Sequence, residues 1–252
     1  LSDRPSSLQP IAEVLMKMVR IPLILALLSL TILAASGPGV HLGLWPFPFG
    51  FQLMRWAVYC GLAATAAAGL VLAVPTWRAR GAGALLFSLV LGSGVAYLPW
   101  HMLQQAKALP PIHDISTDLS DPPAFVAILP LRTNAANPAA YGGSKIAAAQ
   151  RAAYPDIQPL LLAEPIAKAY ARALAAAQHS GWQIVAADQP GGRIEATATT
   201  LWFGFKDDVV IRIAPSPGGS RIDLRSVSRV GKSDVGTNAN RIRSYLAALR
   251  SE

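Results

Sequence analysis

Three apolar runs in the first hundred residues constrain this chain more than any other feature: Ile21–Ser36, Trp56–Pro75 and Gly81–Pro99. A helix rises about 1.5 Å per residue, so a bilayer crossing needs about 20 apolar residues. The second and third runs meet that length. The first is short: it gains length from Gly37–Leu44, or it is a signal peptide with Ala34-Ala35-Ser36 as the cleavage site. Two spans behind it favour a retained helix, and the expected spans are about 20–40, 54–75 and 81–100.

Charge divides the chain at the same place. Residues 1–100 hold six Lys/Arg and two Asp/Glu, against sixteen and twelve in residues 101–252, so two different media solvate the halves. Arg4, Lys17 and Arg20 precede the first span, and Arg78 and Arg80 lie between the second and third. The connection between spans one and two offers only His41 and Arg55. Basic residues stay on the cytoplasmic side, which predicts a cytoplasmic N-terminus and a C-terminal half across the membrane, periplasmic for a bacterial inner membrane. Trp45, Phe47, Phe49, Trp56 and Trp100 are expected as anchors at the outer interface and Trp77 at the inner one. The net charge of +8 does not indicate nucleic acid, because no basic stripe with interleaved aromatics accompanies it. Cys60 is the single cysteine, so an intramolecular disulfide and a Cys-based metal site are excluded.

The spans lack the interior Asp, Glu, Lys and His that ion relays require. They carry small residues every fourth position instead: Ala57, Gly61, Thr65, Gly69 and Ala73, then Ala84, Ser88, Gly92 and Ala96. Such stripes let helix backbones approach closely. They either face each other in a hairpin or dock a helix of another subunit. Between them and the first span, Gly37–Gly50 is rich in Gly, Pro and aromatics, and Pro46 and Pro48 predict an irregular segment along the outer interface.

After a linker at 101–111, residues 112–252 predict a soluble α+β domain. A loop-rich stretch runs to Pro138, followed by helices over 144–153 and from Pro165 to Gln178. Strand-like alternation covers 182–187, 193–200, 209–213 and 221–227, with Pro190-Gly191-Gly192 and Pro217-Gly218-Gly219 as turns. On the last of these strands Ile222 and Leu224 point inward, and Asp223 and Arg225 outward. A final helix spans about 238–249. The expected architecture has two layers, a four-stranded antiparallel sheet with helices on one face.

Several segments in this half resemble a known family. They are Ile112-His-Asp-Ile-Ser-Thr-Asp118, Pro122-Pro-Ala-Phe125, Tyr154-Pro-Asp-Ile157, Gly181-Trp182, Phe203-Gly-Phe-Lys-Asp-Asp-Val-Val-Ile-Arg-Ile213 and the run from Asp223 to Arg243. They are similar to the bacterial and plastid family catalogued as domain of unknown function 1499. The resemblance covers roughly residues 110–250, leaves the spans outside, and implies no activity, since the family has no established one.

Polar residues concentrate between Arg225 and Arg243. Gly231-Lys232-Ser233 is similar to the end of a phosphate-binding loop, but the required glycine five positions earlier is Ser226. Arg225, Arg229, Lys232 and Ser233 ahead of a helix N-terminus offer a weaker anion site, against the plainer reading of a capped helix with locally paired charges. His113-Asp114 lacks an accompanying nucleophile motif and reads as structural, and Lys206-Asp207-Asp208 reads as a charged corner between strands. No cofactor or metal is expected. The leading expectation is a non-enzymatic accessory or assembly subunit of a membrane complex, contacting the bilayer and neighbouring subunits. An anionic-lipid or small-molecule binding domain comes second, and a hydrolase third.

Overall fold

A computed structural model describes residues 9–78 and 81–251, and the basic positions Arg4 and Arg80 lie outside that range. The chain forms two compact units. One holds the described residues up to Gln104 with Trp202–Gly204, the other the remaining described residues from Gln105 on.

The first unit is built from α1 (Gln9–His41), α2 (Phe47–Ala73), the single turn α3 (Pro75–Arg78) and α4 (Ala82–Ala108). Three of these carry stretches long and apolar enough to cross a membrane: Met16–His41, Phe47–Ala73 and Ala82–Ala108. The irregular connection between α1 and α2 is shorter than the sequence suggested, because α1 continues through Pro38 to His41 and Pro48 falls in the first turn of α2. A proline is tolerated there, since the first N–H groups of a helix have no intrahelical acceptor. Likewise α4 passes through Pro99 and stays helical to Ala108, across most of the stretch expected as linker.

The two small-residue stripes meet inside this unit. A Cβ on Gly92 would lie 2.6 Å from the Gly61 carbonyl oxygen, and one on Gly61 would lie 2.7 Å from that of Gly92. The Thr65 hydroxyl bonds back to the Gly61 carbonyl (2.9 Å) and lies 3.3 Å from the Ser93 hydroxyl of α4. The buried residues of α2 are Gly50, Ala57, Gly61, Ala64, Ala68 and Val71, not a strict four-residue repeat. Four residues overshoot one turn of 3.6, so the repeat drifts around the helix, and Gly69 has no neighbour within 4 Å of a built Cβ. On α4 the inward residues are Leu85, Ser88, Gly92, Val95 and Ala96. Gly92→Val is therefore expected to force α2 and α4 apart at a cost of about 1–3 kcal/mol. Gly69→Ala should stay within about 0.5 kcal/mol. Thermal unfolding of the two variants in detergent checks the contrast.

The anchors divide by position. Trp56 and Trp100 are exposed, Trp45 packs edge-on against Phe49 (5.9 Å between ring centroids), and Phe47 packs the same way on Phe51. Trp77 is partly buried against the cluster of Ala68, Val71 and Leu85.

The second unit contains β1 (Asp114–Ser116), α5 (Gly143–Ala153), β2 (Leu160–Leu162), α6 (Ile166–His179), β3 (Gln183–Asp188), β4 (Arg193–Thr199), β5 (Lys206–Ser216), β6 (Gly219–Ser228) and α7 (Thr237–Ser251). The sheet is antiparallel with order β1-β6-β5-β4-β3, and β2 pairs with β6 as well. It has six strands rather than four. The two additional ones have three residues each, too short to show alternation, and they share one edge of β6 end to end. The Gln150 side chain of α5 extends that edge by donating to the Ser116 carbonyl and accepting from its N–H (2.6 and 2.9 Å).

One face of the sheet carries the main core. Ile194, Val209, Ile211, Ile213, Ile222 and Leu224 pack under Tyr170, Ala173 and Ala177 of α6 and Ile242, Tyr245 and Leu246 of α7. Trp182 stacks on Tyr245 at 5.1 Å, and the Tyr245 hydroxyl donates to the Ala173 carbonyl.

Candidate binding surface

The other face was expected to meet water. Instead residues 118–142 cover it, a segment whose only regular structure is a 3-10 turn at Leu129–Arg132. Phe125 and Ile128 reach inward to Val210 and Val227. The remaining positions beneath are mostly charged, since the side-chain period of two places Glu195, Asp208, Arg212, Asp223, Arg225 and Arg229 on this face together with Thr197.

An irregular cover must find partners for its backbone N–H groups, and buried Glu195 supplies three. Its carboxylate accepts from Val126 and Ala127 (2.9 and 3.1 Å) and from Ile128 (2.9 Å), while Arg193 Nε lies 3.1 Å away. Asp208, fully buried, accepts from Arg132 of the cover, from Nε and Nη2 of Arg229 and from the Thr197 hydroxyl. Arg225 forms a bidentate pair with Asp114 (2.9 and 2.8 Å) and donates to the carbonyls of Pro123 and Ala139. Its guanidinium lies between the rings of Phe125 and Tyr141, 5.2 and 5.3 Å from their centroids. Asp118 and Asp223 share Arg221 and Arg212 at the margin.

Arg225 and Arg229 thus turn into the domain and are committed to carboxylates, while Lys232 and Ser233 sit on the loop ahead of α7. The four do not surround one point. The Ser233 hydroxyl accepts from Val235 N–H at 3.2 Å. Asp234 caps the helix by accepting from Gly236 and Asn238 (3.1 and 2.7 Å). Burial raises the Asp234 carboxyl above its ordinary range. His113 Nδ1 lies 3.3 Å from the Lys232 carbonyl, and its neighbour Asp114 serves Arg225 rather than the imidazole. Asp207 and Asp208 stand inside β5 instead of forming a corner, with Asp207 paired to Arg241 at 2.6 Å.

Burial raises the Asp118 carboxyl, but hydrogen bonds from Asp121 and Ser120 together with the Arg221 charge outweigh it, so the group lies below its ordinary value of 3.8. A carboxyl more acidic in the folded state stabilises it above the unfolded value, and that contribution is lost as pH falls through the folded one. Asp118→Asn is therefore expected to flatten the acid limb of a stability–pH profile below pH 3.8. A limb as steep as in the parent chain would contradict the assignment.

Beside Arg225 lies a cavity of about 310 Å³, walled by Phe125, Leu129, Ala139 and Tyr141. The Tyr141 hydroxyl is buried without a hydrogen-bond partner, and burial, then the Asp114 charge, push it up to about 12. On the outside of the same cover, Val126, Leu129 and Leu131 are each about half exposed, at 51%, 48% and 52%. The three fall within six residues of one another, and exposed apolar patches can mark contact sites. The charges below hold them fixed: Arg132 to Asp208 on one side of Leu131, and Glu195 to the backbone of 126–128 on the other.

Residues 114–249 match the model of the DUF1499 family, proteins of unknown function. The chain belongs to that family. The match begins at Asp114 and takes in the whole covered sheet, so the ion-pair layer and the apolar cover lie inside the DUF1499 region and the apolar helices before it. Curated proteins and solved structures yield no match.

Asp114, Glu195 and Arg132 join this layer without standing out in the sequence. Part of the signal was present, because opposite charges alternate along β5 and β6 on one face: Arg212 opposite Asp223, and Asp208 two residues from Val210 opposite Arg225. The cover itself carries no periodicity that would have announced it.

Proposed function

We propose that this DUF1499 protein is a membrane-anchored, non-enzymatic module serving as an accessory or assembly subunit of a larger membrane complex. In this reading it sits in the bacterial inner membrane with Lys17 and Arg20 at the cytoplasmic end of α1 and the sheet domain in the periplasm. The observation that carries it is the apolar surface of Val126, Leu129 and Leu131, presented on a cover that buried ion pairs lock to the sheet. A surface held in one geometry loses little freedom on binding, so its apolar area counts toward affinity. The small-residue faces of α2 and α4 oppose each other at Gly61 and Gly92 and so favour contact through the domain rather than through those helices. Affinity purification from native membranes in mild detergent tests this. A stoichiometric partner should be retained by the parent chain and lost from Leu129→Asp/Leu131→Asp; equal recovery with both chains, or none with either, refutes the reading.

The unpartnered Tyr141 hydroxyl beside Arg225 favours a second reading, a small polar ligand in the adjacent cavity. A screen of small amides and carboxylates by ligand-detected NMR should find binders that Tyr141→Phe weakens. Equal binding by the two chains would remove this alternative.

A further inference from the structure

The connection between β4 and β5 reads Leu201-Trp-Phe-Gly-Phe205, five residues without a polar side chain at the tip of a hairpin. Turns of soluble domains are normally polar. Leu201 is 91% exposed and Trp202 43%. The other two hairpin turns are ordinary: Gln189-Pro-Gly-Gly192 between β3 and β4, and Pro217-Gly218 between β5 and β6.

Register tells which end of the sheet this tip occupies. Asp114, where the chain enters the sheet after α4, pairs with Val227. Val227 pairs with Asp208, and Asp208 with Thr197, two residues before the end of β4. The entry point and the apolar tip therefore share one end of the sheet, about 15 Å apart across three strand spacings. The two polar turns lie at the opposite end, because β4 runs from one to the other. Lys206 is exposed at the tip end. So is Lys232, whose carbonyl faces the His113 ring next to the entry strand. Trp and Phe settle at the headgroup level of a bilayer, and exposed lysines beside them favour anionic lipid. The tether is short as well: Trp100 to Ala108 is helical and rises about 12 Å, and only five residues separate Ala108 from Asp114.

We propose that this end of the DUF1499 domain is a bilayer-contacting surface, with Leu201 at the headgroup level and Lys206 and Lys232 against anionic lipid. It goes beyond the subunit reading and does not depend on it.

The test places an environment-sensitive fluorophore on Leu201→Cys in the full chain. Cys60→Ser removes the only native thiol, and Gln189→Cys at the opposite end of β4 is the control. Both chains are reconstituted in vesicles of phosphatidylcholine and phosphatidylglycerol. The expected result is a blue-shifted Leu201 label, quenched by acyl-chain-brominated lipid and several-fold less by iodide than the Gln189 label. Equal iodide quenching at the two positions would place the tip in water and overturn the proposal. A Leu201 label shielded from both quenchers would place it against protein, which overturns it equally.

Discussion

Replacing Asp208 by alanine is expected to destabilise the sheet domain by about 3–5 kcal/mol, a large share of the stability of a domain this size. The carboxylate is fully buried and serves Arg132 and Arg229, so its removal leaves two guanidinium groups facing each other in a poorly solvated space. The magnitude comes from those uncompensated charges rather than from any net strength of the ion pair, because desolvation offsets most of the attraction in the intact group. Two controls follow from that argument. Asp208→Asn keeps acceptor oxygen but not charge and should be nearly as harmful. Exchanging Arg132, Asp208 and Arg229 together for apolar residues of similar volume should restore much of the loss. Chemical denaturation of the full chain in detergent measures all three. A loss below about 1 kcal/mol for Asp208→Ala would mean that the layer is far more hydrated than its burial indicates.

Glu195→Ala should have a different signature. It removes the acceptor for three successive backbone N–H groups, and each buried donor left unsatisfied costs about 1–3 kcal/mol. The three belong to the cover, so the damage is expected to be local. Hydrogen exchange should rise sharply across 118–142 while α6, α7 and the central strands keep their protection. Glu195→Gln, which retains one acceptor oxygen, should fall between the alanine variant and the parent. Uniform loss of protection over the whole domain would show that cover and sheet unfold as one unit. Val126 and Leu129 lie in the freed segment, so partner capture is expected to drop along with protection.

These expectations rest on features that were legible in the sequence to different degrees. The apolar helices could be read from length and polarity, because lipid selects for both independently of packing. The four longer strands were marked by alternation and by the two Pro-Gly-Gly turns. β1 and β2 escaped, since three residues set no period and only the free edge of β6 gives them a partner. The small-residue repeat led to the right pair of helices but only partly to the right residues, because helical drift moves Gly69 off the contact and brings in Ala64 and Ala68. Arg225 and Arg229 stood out as a basic cluster. Their partners come from 111 and 21 residues away, so their neutralisation could not be read locally. The same non-locality hid the cover, whose order comes from charges on strands it precedes in the chain.

The most direct test of the central claim is site-specific photo-crosslinking in native membranes, with a photoreactive residue at Leu129 or Leu131 and a control at exposed Gln189. A recurrent adduct with one other membrane protein is expected from both cover positions and none from Gln189. Lipid adducts alone, or the same adducts from all three positions, would contradict it.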